Sequence, residues 1–138
     1  MIATEYINLS TRGFTDIIDI TGDVEKKISQ SGLTKGVVTV FVPGATGGLT
    51  TIEYEPGLLK DLPKALEKIA PEEGHYHHHE TWNDGNGSAH IRAALMGPSI
   101  SAPFLKGKMT LGTWQQVIFC DFDNKARSRR LIVQIIGE

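Results

Sequence analysis

The sequence predicts an α+β fold, with one compact domain made mainly of antiparallel β-sheet and two or three helices. Most of the chain consists of short β-branched or alternating runs separated by glycine and proline, a pattern typical of strands. The helical patterns are few and segregated, which favours α+β over a parallel α/β arrangement. No repeat or low-complexity linker marks a boundary, so residues 1–138 are expected to form a single domain.

The N-terminal segment predicts two strands and a helix. Residues 2–9 alternate as a half-buried strand does, and residues 13–20 form a second such run after a short turn. These two strands are expected to form a hairpin. A helix is expected over residues 21–31, with Thr21 as its cap and Gly32 beyond its end.

The middle of the chain predicts two further strands and a second helix. Residues 37–42 are a β-branched run typical of a central strand, and residues 49–55 resume an extended pattern after a glycine-rich loop. Apolar residues recur at helical spacing across residues 58–69. Pro63 is expected to lie in the first turn of this helix or to break it.

The C-terminal half is predicted to be mainly β. Residues 91–97 fit a short helix and a strand equally well. Four later runs have the composition and punctuation of strands, and they cover residues 99–104, 108–113, 115–122 and 130–137.

Composition and charge argue against several classes of protein. The formal net charge of −2 gives no general attraction for nucleic acid or anionic membrane, and no stretch approaches the about 20 apolar residues that span a bilayer. The first ten residues lack the basic start and apolar core of a secretion signal. The single cysteine, Cys120, cannot form an internal disulfide and is expected to be a buried thiol. We therefore expect a cytoplasmic protein that binds neither nucleic acid nor membrane.

The most informative local feature is a cluster of histidines. Four of the five histidines, His75, His77, His78 and His79, fall within five positions, and His90 follows after the loop ETWNDGNGSA. Imidazole and carboxylate groups are common ligands of zinc and similar ions. The candidate ligands in this segment are His77, His78, His79, Glu80, Asp84 and His90.

The faces of the histidine run depend on its conformation. If the segment is extended, His77 and His79 share one face and His78 takes the other. The turn DGNG can return His90 to the neighbourhood of His78, because glycine and asparagine tolerate positive φ. A solvated polar loop with no resident metal is compatible with the same residues, so spacing alone leaves both interpretations open.

Two other segments carry candidate chemistry. The loop PGATGG, residues 43–48, can bring backbone N–H groups against a phosphate or carboxylate, with the Thr46 hydroxyl beside them, although a plain turn between strands is the more frequent use of such a sequence. Glu53 is expected within a strand, where burial would make it a general acid or base. An exposed strand residue is the plainer interpretation.

Arginines near the C-terminus offer an anion site. Arg127 and Arg129 are two residues apart, so in a strand they project from one face, where their guanidinium forks can bind phosphate; Arg130 points away. A solvated strand end explains the same charges. Gln115 can bind a ligand amide or pyrimidine, whereas Trp114 is expected in the core.

Four segments carry a resemblance to a known family. They are IEYEPGLLKDL, DGNGSAHIRAALMGPS, GKMTLGTWQQVIFCDFD and RSRRLIVQIIGE, and together they extend over nearly the whole chain. In this order they resemble the YjbQ-like family, also labelled secondary thiamine-phosphate synthase. The resemblance implies an enzyme that joins hydroxymethylpyrimidine diphosphate to thiazole phosphate with loss of pyrophosphate. A metal-dependent hydrolase and a non-catalytic trimer that binds a metal or small ligand are the alternatives.

The resemblance also assigns residues and an assembly. It implies that His78 and His90, with Asp84, bind a divalent ion, zinc or magnesium, and that Glu53 and Asp84 are catalytic. The residues expected to bind the small phosphorylated substrate are Thr46, Gly47, Gly48, Asn86, Thr113, Gln115, Arg127 and Arg129. Two positions depart from the family's pattern, because Gly44 and Ala89 stand where the family has histidine and serine. With the apolar C-terminal run, the resemblance predicts a homotrimer whose interface covers sheet edges.

Overall fold

Two antiparallel sheets and four helices make up the protein, in a computed structural model that describes all 138 residues. The elements are β1 (Ile2–Thr11), β2 (Asp16–Asp19), α1 (Thr21–Ser31), β3 (Lys35–Phe41), β4 (Gly47–Ile52), α2 (Pro56–Ile69), α3 (His78–Trp82), α4 (Gly87–Met96), β5 (Ser99–Leu105), β6 (Lys108–Met109), β7 (Gln116–Asp121) and β8 (Arg127–Gly137). The predicted α+β class is confirmed, with four helices rather than two or three. None of these helices is long and apolar enough to cross a membrane.

The strands divide between a larger and a smaller sheet. The larger sheet has the order β1-β8-β3-β5-β6 and the smaller sheet has the order β2-β7-β4. The predicted hairpin of the first two strands is wrong, because β1 pairs with β8 and β2 pairs with β7. Ten residue pairs join β1 to β8, whereas β2 is only four residues long. The turn between them carries three residues at positive φ, Gly13, Phe14 and Thr15, and leads the chain from one sheet to the other.

Two apolar cores lie on opposite faces of the smaller sheet. The main core fills the space between the larger sheet, α1 and β7, and the second core joins β7 to α2 and α4. Along β7, Val117 and Phe119 belong to the main core, while Ile118 and Cys120 belong to the second. The strand is therefore buried on both faces, as its unbroken apolar sequence requires. Burial raises the pKa of the Cys120 thiol to about 12, which fits the predicted buried cysteine.

The capping of α1 and the position of Pro63 in α2 differ from the predictions. Helix α1 begins at Thr21, but the Thr21 hydroxyl accepts a hydrogen bond from the Val117 N–H (2.8 Å) and does not cap the helix. Helix α2 begins at Pro56 and is capped by the carboxylate of Glu55. Pro63 lies in the middle of this uninterrupted helix, so the prediction that it would occupy the first turn or break the helix is wrong.

Other local expectations are also corrected. The ambiguous segment 91–97 belongs mainly to helix α4, and of residues 108–113 only the first two form a strand. Glu53 lies just beyond the end of β4 and is exposed. Trp114 was expected in the core, but its side chain projects into solvent with 71% of its surface exposed. The chain around it turns before entering β7, so it does not share that strand's burial.

The packing of Gly47 against Phe119 yields a stability prediction. A Cβ at Gly47 would lie 2.8 Å from Cε1 and Cζ of Phe119, which is fully buried and has little room to move. Gly47→Ala should therefore lower the free energy of unfolding by about 1–3 kcal/mol, as overpacking of a core does. Gly22→Ala in α1 is the matched control, because nothing lies within 4 Å of its Cβ position. Chemical denaturation of both variants measures the difference, and equal stabilities would contradict this description of the core.

Candidate functional site

A tight chain reversal brings the histidine segment together. His78 is the first residue of α3, and His90 lies in the first turn of α4. Asn83 and Gly85 both adopt positive φ between these helices, so the chain turns back within a few residues. As a result, the ring centroids of His78 and His90 are 4.4 Å apart. The predicted return of His90 to the neighbourhood of His78 is confirmed.

Asp84 completes a three-residue cluster. The Nε2 atom of His78 lies 3.4 Å from each carboxylate oxygen of Asp84. The ligand atoms of His78, Asp84 and His90 all lie within 4.8 Å of one another. Tetrahedral zinc with bonds of about 2.0–2.2 Å needs ligand atoms roughly 3.3–3.6 Å apart, so small side-chain shifts would suffice to bind an ion. We call this cluster the inner site.

The carboxylate of Asp84 is fixed by its own turn. Its Oδ1 atom accepts a hydrogen bond from the Asn86 N–H (3.1 Å), and its carbonyl accepts one from Nδ2 of Asn124 (2.9 Å). The backbone hydrogen bond from Asn86 holds the pKa of Asp84 below its usual value against a smaller opposing effect of burial, and His78 lowers it further. The side chain is therefore an ionised and oriented acceptor.

Helical geometry settles which histidine faces the inner site. The interpretation that His77 and His79 share a face in an extended segment is wrong, because α3 begins at His78. Nε2 of His79 accepts a hydrogen bond from the N–H of Gly87 (3.1 Å), the first residue of α4. His77 projects into solvent. His78 is thus the residue of the three that lies beside both His90 and Asp84.

Tyr76 supports this arrangement by packing against the start of α4. Its ring packs so closely on Gly87 that a Cβ there would lie 2.5 Å from the tyrosine, and only glycine fits. The Tyr76 hydroxyl donates to the carbonyl of Pro71 (2.6 Å). The segment before α3 is therefore held against the start of α4.

Two cavities border the histidines. One, of about 400 Å³, is lined by His75, Tyr76, His77, His78, Gly87, His90 and Ile91. The other, of about 260 Å³, is lined by Gly44, Ala45, Gly47, His90, Ala93, Ala94 and Pro98. His90 lies in the walls of both. The glycine-rich loop predicted to bind an anion is therefore next to the inner site.

The predicted anion-binding arginines are engaged by buried carboxylates. Arg129 donates from Nε and Nη2 to the two oxygens of Asp121 (both 2.8 Å), and Arg127 donates from Nε to Asp123 (3.0 Å). Burial raises the pKa of Asp121, but hydrogen bonds from Arg129 and Thr11 outweigh it and hold the pKa below its usual value. The same bond to Asp121 raises the pKa of Arg129.

The glycine-rich loop closes onto Arg129. The buried Thr46 hydroxyl accepts from Nη2 of Arg129 (2.7 Å) and donates to Asp123 (3.1 Å). Nη1 of Arg129 has no such partner, and a Cβ at Gly44 would lie 3.4 Å from it. Gly48 instead faces Met96 of α4, where a Cβ would lie 2.9 Å from that side chain. Thr46 and Gly48 are thus structural contacts, while Nη1 of Arg129 faces the loop.

Asn86 connects the inner site to the carboxylates. It is the N-cap residue of α4 and is buried, and its Nδ2 lies 3.4 Å from Oδ1 of Asp123. Its own Oδ1 is buried without a partner.

Three predicted site residues lie away from the loop of Thr46. Glu53, Thr113 and Gln115 are exposed. Gln115 is held locally, because its Nε2 donates to Thr51 (3.1 Å) and its Oε1 accepts from the N–H of Gly112 (3.0 Å). These residues lie near the C-terminal end of β4, and the loop of Thr46 precedes its N-terminal end, roughly 17 Å away along the strand. One copy of the chain does not bring the two groups together.

Arg92 is a structural residue that the sequence did not reveal. It is buried in α4 and donates to the carbonyl of Ala70 (2.9 Å), to Thr15 (2.8 Å) and to Glu67 (2.6 Å). These bonds hold α4, which carries His90, to α2 and to the turn before β2. The only signal was an arginine in an apolar segment whose helical or strand character was ambiguous.

Comparisons with known proteins give matches over nearly the whole chain. A family model described as UPF0047 protein YjbQ-like matches residues 5–138. A UPF0047 protein of Archaeoglobus fulgidus is 38% identical over 130 residues, which cover 94% of this chain and 98% of the relative. The UPF0047 protein YugU of Bacillus subtilis is 30% identical over 132 residues, covering 95% and 97%.

Solved structures agree with this fold. A YbjQ-like protein of unknown function from Sulfolobus solfataricus superposes with a TM-score of 0.93 at 28% identity, covering 100% of this chain and 99% of that one. An uncharacterised YjbQ/UPF0047 family protein from Clostridium acetobutylicum superposes with a TM-score of 0.87 at 39% identity, covering 96% and 99%.

Proposed function

This chain belongs to the YjbQ-like UPF0047 family, and on that premise we propose that it is a metal-assisted enzyme that acts on a small phosphorylated heterocycle. The observation that carries the proposal is the inner site, in which two imidazoles from the wall of a cavity converge with an oriented carboxylate. Three protein ligands leave at least one position for water or substrate, which distinguishes catalytic from structural zinc sites.

The donor set favours zinc over magnesium. Magnesium prefers oxygen ligands in octahedral geometry, whereas two of the three donors here are imidazole nitrogens. The fixed Asp84 supplies one negative charge to the ion. Of the two ions that the resemblance implies, zinc is therefore the better match to these residues.

The surroundings of His90 support a phosphorylated substrate. The cavity of about 260 Å³ joins His90 to the loop of Gly44, Ala45 and Gly47. Nη1 of Arg129 lies next to Gly44 of the same loop, while Arg129 itself lines a separate cavity with Tyr6 and Pro43. Backbone N–H groups of a glycine-rich loop and a guanidinium are suitable partners for phosphate oxygens. An anion bound there would lie beside the metal ligands.

The reaction implied by the resemblance suits such a site. In thiamine-phosphate synthesis, the bond between the pyrimidine methylene carbon and the diphosphate oxygen breaks, and its electron pair leaves with pyrophosphate. The thiazole nitrogen then forms the new bond to that carbon, so no protein nucleophile is needed. A bound metal ion would neutralise the leaving diphosphate, and Arg129 with the loop would hold it.

Metal binding tests the inner site directly. His78→Ala and His90→Ala should each abolish tight binding of zinc, because each removes one of three ligands. His77→Ala is the matched control and should retain it, since His77 projects away from the cluster. Competition with a chromophoric chelator measures the affinity, and circular dichroism verifies that each variant is folded. Tight zinc binding that survives in both His78→Ala and His90→Ala would refute the inner site.

A coupled assay tests the reaction. With both phosphorylated halves supplied, the wild type should form thiamine phosphate, and a chelator should stop it. Asp84→Asn should lower turnover by more than the roughly 10–100-fold typical of altering a group that only supports a metal ligand, because Asp84 is proposed as a direct ligand. Glu53→Gln should retain the metal; lowered turnover would then require Glu53 of another copy, given its separation from the loop of Thr46 within one chain.

The outcomes separate the alternatives. No product with magnesium, manganese or zinc rules out the synthase assignment. Release of phosphate or pyrophosphate without coupling would then favour a metal-dependent hydrolase. Metal binding without any turnover would favour a non-catalytic binding protein.

A homotrimer is part of the same proposal. Its support is the outward face of the larger sheet, where three successive cross-strand rows carry no charge. The rows are Ile2, Ile136, Val37 and Pro103; then Thr4, Gln134, Thr39 and Ser101; then Tyr6, Ile132, Phe41 and Ser99. The polar pairs of the middle row bond to each other, Thr4 to Gln134 and Thr39 to Ser101 (both 2.6 Å).

This face is a better candidate interface than the edges of the C-terminal strand. Strand β8 lies between β1 and β3, so both its edges are already paired. Val37 and Ile136 are 46% and 55% exposed in one copy, and exposed apolar side chains on an uncharged face are a common mark of association. Three copies is the number that the family resemblance implies.

Light scattering tests the assembly. At micromolar concentration the protein should have three times the 15.1 kDa mass of the chain. Val37→Lys should shift it to the monomer mass, because it buries a charge without a partner. Ser29→Lys, on the exposed side of α1, should leave the mass unchanged. A monomeric wild type would defeat the proposal.

A further inference from the structure

We propose that His75, His77 and Glu80 form a second cation site, which we call the outer site. It shares no residue with the inner site. It binds a divalent transition ion such as zinc, nickel or copper. The proposal extends beyond the enzyme assignment, because the outer site is defined by its own ligands.

The three side chains converge on a common point. Nε2 of His75 lies 3.9 Å from Oε1 of Glu80, and Nδ1 of His77 lies 3.5 Å from Oε2. All the ligand atoms lie within 4.8 Å of one another. These separations exceed those of good hydrogen bonds but are close to the roughly 3.3–3.6 Å between ligands of a tetrahedral ion. The two rings meet edge to face, with centroids 5.9 Å apart, and do not stack.

Local chain geometry creates the convergence. Tyr76, between the two histidines, packs against Gly87 and is bonded to Pro71, so His75 and His77 are left on the solvent side. His77 is the N-cap residue of α3, and Glu80 follows it three residues later in the first turn. Residues three apart on a helix lie on one face. The anchored tyrosine therefore limits how far the outer ligands can separate.

The character of the ligands sets the ion and its affinity. Two imidazoles and one carboxylate suit zinc, nickel or copper and are poor ligands for calcium or magnesium. The side chains of His75, His77 and Glu80 are 79%, 93% and 66% exposed. No neighbouring groups orient them as the backbone orients Asp84, so the outer site should bind more weakly than the inner site.

The outer site shares a cavity with the two histidines of the inner site. His75 and His77 line the same cavity of about 400 Å³ as His78 and His90. An ion held by His75 and His77 would place a second positive charge on the wall of that cavity. This consequence rests on the proposed function. For a diphosphate that approaches the inner site, the second charge would raise the local concentration of the anion.

Metal titration of single variants tests the outer site. Metal-free protein is titrated with zinc against a chromophoric chelator, and the wild type should show one tight and one weaker site. His75→Ala and His77→Ala should weaken the second site by more than the roughly 10–100-fold typical of losing a supporting group, and leave the tight site intact. Glu80→Gln should also weaken only the second site. His78→Ala is the reciprocal control and should remove only the tight site.

Copper provides an independent readout, because the two sites should give two distinct electron paramagnetic resonance spectra, one of which disappears in His77→Ala. A single ion that is lost in His78→Ala and kept in His77→Ala overturns the outer site and leaves the inner site standing. A single ion that is lost in His77→Ala and kept in His78→Ala overturns the inner site and leaves the outer site standing. Two ions in both His75→Ala and His77→Ala would also overturn the outer site.

Discussion

Two buried carboxylates at the end of β7 hold the layers of this protein together. Asp121 and Asp123 have essentially no exposed surface, so each must be compensated by donors within the protein. The donors are Thr11 and Arg129 for Asp121, and Thr46, Arg127 and Asn86 for Asp123. They come from the ends of β1 and β8, from the loop before β4 and from the start of α4. One pair of charges thereby fixes both sheets relative to the helix that carries His90.

The inner site depends on this arrangement indirectly, through Asn86. Asn86 bonds to Asp123 through its side chain and to Asp84 through its backbone. It therefore couples the buried carboxylates to Asp84, the carboxylate of the inner site. On the other side of α4, Arg92 anchors the helix to α2. His90 is thus carried by a helix held at two points, whereas the outer histidines are supported mainly through Tyr76. This difference in support is the physical basis for the predicted order of affinities.

Local patterns in the sequence predicted where strands and helices form better than they predicted which strands pair with each other. The periodicity of the strands and of α1 was readable, and the DGNG turn correctly placed His90 beside His78. The hairpin was wrong because β1 finds its partner at the opposite end of the chain, and apolar alternation carries no information about which strand is paired. The extended spacing considered for the histidine run does not apply, because a helix begins at His78. The resemblance groups Glu53 and Gln115 with the site residues, but it does not reveal that they lie at the far end of β4 from the loop of Thr46.

The two departures from the family's pattern have physical explanations in this chain. Gly44 has φ of 132°, a conformation that histidine rarely adopts, so the backbone of this loop favours glycine at that position. The side of the loop nearest His90 borders the cavity of about 260 Å³, in the region where the resemblance implies a third histidine. Ala89 is fully buried in the second core, where a serine hydroxyl would need a hydrogen-bond partner. At position 89 the chain therefore avoids a buried polar group, whereas at Gly44 it leaves the cavity between the loop and His90 without a third imidazole.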